Sequence, residues 1–243
     1  MVSTRFTLMA ALACVAWAAE VPATVPKPTL RPEQRADIYM ARKMYREAID
    51  EYREAPDSAI VANKLGIAFH QLQDLGTARR NYARALKLDP AYAEAINNLG
   101  TTYYAAKDYR RAIKHYRKAL RLAPQSASIY SNLGTAYFAR RDYKKASEAY
   151  QSALGIDPEV FDHHNAYGVL LQDHNVEERA KFHYYLARSC AKAGMTERAL
   201  QYIRKALEEG FGERKKFLEE PEFTTLRVNP EFQMLMAYEP RKL

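Results

Sequence analysis

Four histidines fall within 21 residues, His163, His164, His174 and His183, interspersed with Asp162, Asp173, Glu177 and Glu178. Imidazoles and carboxylates at that density could hold a metal ion. The spacings that build such sites are missing: there is no H-E-x-x-H, no cysteine pair and no facial-triad motif. The four histidines are therefore read as non-ligating, with a metal-binding protein that uses this stretch as the alternative. Thiol chemistry has little more behind it. The two cysteines are Cys14, inside an N-terminal apolar run, and Cys190. If the run is removed, Cys190 is left without a disulfide partner. No glycine-rich phosphate loop, G-x-S-x-G elbow or Cys–His nucleophile signature occurs. The chain reads as non-enzymatic, and no cofactor is implied.

The elements that would position any of these groups follow one rule. Pro90, Pro124 and Pro158 stand 34 residues apart, and so do Leu65, Leu99 and Leu133. Gly66, Gly100 and Gly134 keep the same step, as do Ala78, Ala112 and Ala146, then Tyr82, Tyr116 and Tyr150, then Ala85, Ala119 and Ala153. Within one period, Ile96, Leu99 and Tyr103 recur at three and four, which puts them on one helical face. Gly100 in the middle of that helix gives up about 1 kcal/mol of propensity against alanine, a loss explained by close approach of a neighbour. Lys107-Asp108 makes a polar turn and Pro124 stops a second helix.

A 34-residue helix–turn–helix period with these residues resembles the tetratricopeptide repeat. The resemblance implies an all-α fold, a right-handed α-solenoid of about five helix pairs with one inserted helix and a C-terminal capping segment. The expected boundaries are a signal peptide at 1–18, a proline-rich linker at 19–32 and a degenerate unit at 33–58. Three full units follow at 59–92, 93–126 and 127–160, then an inserted helix and loop at 161–179. A fifth unit at 180–213 has Ala187 in the glycine place, and a cap occupies 214–243. In the cap, Pro221-Glu222-Phe223 and Pro230-Glu231-Phe232 each read as the start of a short helix that folds onto the last unit.

In tetratricopeptide proteins the first helix of each pair lines a concave groove that holds a partner's extended or helical segment. That resemblance assigns to the groove Asn63, Lys64, Asn97, Asn98, Thr101, Tyr104, Ser131, Asn132, Thr135 and Phe138. Asn98 and Asn132 occupy equivalent places and are expected to form a ladder that holds peptide backbone, similar to the asparagine ladder of the O-GlcNAc transferase superhelix. Lys64 stands in the same place one unit earlier. Tyr104 and Phe138, also equivalent, are expected to form an apolar strip. The carboxylate clamp of chaperone-binding members is excluded, because its basic places fall on Ser128 and Asn132 and its leading asparagine place on Ile67.

The function this implies is a non-enzymatic scaffold or adaptor that binds another protein, monomeric or weakly self-associating. Arg5 followed by the apolar run Phe6–Trp17 reads as a bacterial-type export signal, with Ala16-Trp17-Ala18 as cleavage pattern and Ala19 as mature start. The expected location is periplasmic or secreted. Ala11-Leu12-Ala13-Cys14 resembles a lipoprotein box, so the alternative is a membrane-anchored lipoprotein acylated at Cys14 and acting as a pilotin-type assembly factor. Lys and Arg total 37 against 29 acids, a net charge of +8. Much of the excess lies on the second helices and reads as a solvated outer face, with no nucleic acid among the expected partners.

Overall fold

The computed structural model describes residues 30–161 and 176–237. The signal segment, Cys14, most of the linker, His163, His164, His174 and residues 162–175 of the expected insert at 161–179 lie outside them. The described residues from Arg31 onward form an all-α solenoid of consecutive helix pairs. The pairs are α1 (Pro32–Ala41) with α2 (Tyr45–Glu54), α3 (Ala59–Gln71) with α4 (Leu75–Leu88), α5 (Ala93–Ala105) with α6 (Tyr109–Leu122), α7 (Ala127–Ala139) with α8 (Tyr143–Ile156), and α9 (Val176–Lys192) with α10 (Thr196–Glu208). Each second helix also packs on the next first helix, so that the pairs between the first and the last are sandwiched by their neighbours. No helix among the described residues is long and apolar enough to cross a membrane.

The turns inside the pairs share one construction. Asp74, Asp108 and Asp142 cap α4, α6 and α8, their carboxylates accepting from the backbone N–H of Thr77, Arg111 and Lys145 at 3.0, 3.1 and 3.4 Å. One residue earlier, Gln73, Lys107 and Arg141 adopt φ of 62°, 59° and 62°, a left-handed conformation that β-carbon-bearing residues adopt at some cost. In the last pair Gly194 takes this place, at φ 74°.

The periodic glycines are explained by their partners within the pair. A β-carbon at Gly66, Gly100 or Gly134 would stand 2.5, 2.7 or 2.4 Å from the ring of Tyr82, Tyr116 or Tyr150. The close approach is therefore that of an aromatic ring lying across the first helix. In the last pair Ala187 and Ile203 occupy these two places, the larger first residue being matched by a smaller second one.

The C-terminal end has one more helix than the two expected from its proline–glutamate starts. It comprises α11 (Lys215–Glu219), a 3-10 turn (Pro221–Leu226) and α12 (Pro230–Ala237). Phe211, Phe217, Phe223, Leu226 and Phe232 are buried in one cluster with Tyr184, Leu186 and Ile203. The signal missed was Phe217, which sits only six residues before Phe223 and closes the gap between α10 and the 3-10 turn.

Candidate partner-binding groove

Successive first helices α3, α5 and α7 lie side by side. Where they meet, four carboxamides are joined in series. Asn132 donates to Asn97 at 3.0 Å, Asn97 to Asn98 at 3.2 Å and Asn98 to Asn63 at 3.0 Å. Asn63 in turn donates to the Glu94 carboxylate at 3.1 Å and to the Tyr92 hydroxyl at 3.4 Å. All four asparagines are buried. Burial, together with a carboxylate oxygen 3.3 Å from its hydroxyl, pushes the Tyr92 pKa up to about 12.

The carboxamide ladder is thus internal. Asn98 and Asn132, equivalent in sequence, are not bonded to one another; the bonds that cross between helices run from Asn98 to Asn63 and from Asn132 to Asn97, steps of 35 residues. A buried amide whose donors and acceptor are already bonded is not presented to a peptide. Thr101 is likewise buried, its hydroxyl donating to the carbonyl of Asn98 at 2.7 Å. The buried Thr135 donates to the carbonyl of Ser131 at 3.0 Å.

Phe138 is core as well. Its ring meets Tyr143, Phe182 and Tyr185 edge to face at 5.5, 5.7 and 6.0 Å, and it is 4% exposed. Tyr104 is half-buried and leans on Tyr109 at 5.2 Å. Of the ten residues assigned to the groove, Lys64, Tyr104 and Ser131 keep partial access to solvent.

Lys64 is the best defined of these. Its ammonium lies 2.8 Å from Glu33 and 2.8 Å from Asp37, both on α1. Burial alone would lower its pKa, but the hydrogen bonds to the two carboxylates outweigh that and leave it raised, so the ammonium stays charged. It borders a cleft of about 480 Å³ whose walls include Asp37, Met40, Tyr45, Tyr52, Ile67 and Gln71. The Tyr52 hydroxyl donates to the other oxygen of Asp37 at 2.6 Å, fixing that carboxylate. The cleft offers an apolar floor with a charged pair at its edge, the mix of apolar lining and a few placed polar groups that ligand sites share. Tyr45, Met40 and Asp37 are not marked as site residues by the sequence, because the first unit lacks the glycine and leucine of the others.

His183 is engaged within the fold, its Nδ1 2.7 Å from a Glu209 oxygen. Burial holds its pKa below the ordinary imidazole value despite that carboxylate, so the contact is a hydrogen bond from a neutral ring. Among the described residues no three histidine, cysteine or acidic side chains converge as metal ligands. Cys190, on α9, is buried.

Two family models match the chain. Residues 97–161 match a model described as tetratricopeptide repeat, and residues 66–107 match one described as TPR repeat. Residues 66–161 are thus tetratricopeptide repeats. Two solved structures are similar to the chain. MamA from Desulfovibrio magneticus RS-1 is 22% identical, with 75% of this chain and 94% of that chain covered and a TM-score of 0.50. A further MamA crystal structure is 23% identical over 76% of this chain and 91% of that one, with a TM-score of 0.49. The likeness to the first of these is one of fold alone. No curated protein matches the chain.

Proposed function

We propose that this tetratricopeptide repeat protein is an exported, non-enzymatic adaptor that holds a segment of a partner protein on the face of its first helices. The observation that carries the reading is the Lys64 cleft, an opening on that face with an apolar floor and a fixed charge pair. A groove that is already formed loses little conformational freedom on binding, so modest contacts suffice for affinity. The buried asparagine series contributes by holding α3, α5 and α7 in register, which keeps the face preformed.

Site-specific photo-cross-linking tests the reading. A photoreactive residue placed at Gln71, Tyr104 or Ser131 is expected to capture the same partner segment in envelope extracts of the native host. The same residue placed at Arg117 on α6 should not. Capture of a protein from the α6 position alone would overturn the groove assignment. Intact-mass analysis of the processed chain tests the location: a start at Ala19 supports a soluble exported adaptor, whereas an acylated Cys14 supports the tethered alternative.

A further inference from the structure

The positive charge of this chain is concentrated on two helices. α6 carries Arg110, Arg111, Lys114, Arg117, Lys118 and Arg121, all exposed, and no acidic residue. α4, the preceding second helix, carries Arg79, Arg80, Arg84 and Lys87, again with no acid. The ten cations of these two helices exceed the net charge of the entire chain, +8. The other second helices are mixed: α2 has Glu47, Asp50, Glu51 and Glu54, α8 has Glu148, and α10 has Glu197 and Glu208. A generic solvated face would resemble those three, with both signs interspersed.

The charges are also largely uncompensated. Arg84 is paired with Asp57 at 2.6 Å and Arg111 with Asp108 at 3.3 Å. The remaining eight form no ion pair among the described residues. The two helices present one continuous patch rather than two, because a single ring joins them. The Arg79 and Arg111 guanidiniums lie 4.7 and 5.6 Å from the centre of the Tyr103 ring on α5. His115 of α6 stacks on that ring at 5.1 Å, and burial together with Lys118 and Lys114 holds its pKa low.

Two apolar side chains interrupt the basic face at repeat-equivalent places. Leu88 and Leu122, the last residues of α4 and α6, are 49% and 46% exposed, next to Lys87 and Arg121. Cations that neutralise phosphates alongside leucines that enter the headgroup boundary are what an anionic bilayer surface recognises. A nucleic acid would instead call for exposed aromatic or carboxamide side chains among the cations. The aromatic residues of these two helices, Tyr82, Tyr109 and Tyr116, are buried or half-buried, and so is the single carboxamide, Asn81.

We propose that the outer face of α4 and α6 docks on an anionic phospholipid surface, leaving the first-helix face free for a protein partner. Flotation of the purified full chain with vesicles tests this, comparing phosphatidylcholine alone with phosphatidylcholine containing phosphatidylglycerol. The anionic vesicles are expected to bind at least about tenfold more tightly at low salt, with the preference lost at high salt. Neutralising α6 as Arg110→Gln, Lys114→Gln, Arg117→Gln and Lys118→Gln should weaken anionic binding about 100-fold or more, with helicity and melting temperature kept. A control that removes four cations elsewhere, Arg46→Gln, Lys192→Gln, Lys205→Gln and Lys215→Gln, should weaken it less than about tenfold. Equal binding to the two vesicles, or equal losses in the two variants, would overturn the proposal. The first result would leave only uncharged insertion of the N-terminal apolar run, and the second only net charge. Tighter binding to duplex DNA than to anionic vesicles at matched ionic strength would also overturn it, in favour of a nucleic-acid face.

Discussion

The central pairs α3–α8 and the C-terminal elements α9–α12 solve the same problem by different means. The centre repeats one contact set. A tyrosine ring lies on a glycine in each pair, small alanines line the seam, and asparagines tie the first helices together. The C-terminal end keeps the helix pair and its turn in α9 and α10 but replaces the glycine–tyrosine contact and adds elements outside the period. It stacks Tyr184 on Phe211 at 4.5 Å, with Phe217 and Phe223 at 5.4 and 6.2 Å, and surrounds them with paired charges. Arg188 lies between Glu220 and Glu222 at 3.3 and 2.9 Å, while Arg179 and His183 share Glu209. A repeating interior needs contacts that every neighbour can reproduce, whereas an end needs contacts that stop the series.

The largest break in this comparison should come from the end. Phe217→Ala removes a fully buried ring from the aromatic cluster and is expected to cost about 3–5 kcal/mol. Hydrogen exchange should show the loss confined to α9–α12, with α3–α8 still protected. A uniform loss would mean that the two regions unfold as one. In the centre, Asn98→Ala leaves the Asn63 carbonyl and an Asn97 donor without partners, at about 1–3 kcal/mol. Chemical denaturation should register that loss, and Asn98→Ala combined with Asn63→Ala should cost less than the sum of the two.

A smaller test uses pH. Burial lowers the pKa of His70, His115 and His183, so each ring is neutral in the fold below the pH at which the unfolded chain takes up its proton. Their contribution is fully present above the unfolded value of about 6.5 and is lost as pH falls below it. Melting temperature should therefore decline from pH 7 towards pH 5. His70→Gln with His115→Gln should flatten the part due to the centre, and His183→Gln the part due to the end. The smallest effect is a gain. Arg141→Gly relieves a left-handed φ of 62° and should stabilise the α7–α8 turn by up to about 1 kcal/mol, read by denaturant titration. The last pair, with Gly194 already at that place, has no such gain left to make.

The solenoid was legible because its determinants are local and repeated: a glycine, a tyrosine and a proline in step specify helix, partner and stop within 34 residues. The groove was less legible. Sequence equivalence paired Asn98 with Asn132, but adjacent first helices are offset by one residue, so the bonds run 63 to 98 and 97 to 132. That offset is a property of how neighbouring helices cross, and no single repeat contains it. Phe138 matched Tyr104 in register but faces Phe182 and Tyr185 of α9, a helix outside the strict period, and this draws it into the core. The Lys64 cleft was not legible because most of its wall comes from the degenerate first unit.

The asparagine series has a direction. Every amide between Asn132 and Asn63 donates the same way, and the series ends on Glu94, a carboxylate that only accepts. One charge at the edge of α5 thereby sets which way four neutral side chains point across three repeats. Reversing any one of them would set donor against donor or acceptor against acceptor at the next. The central repeats therefore carry a polarity written in amide orientation, with its origin at a single acid.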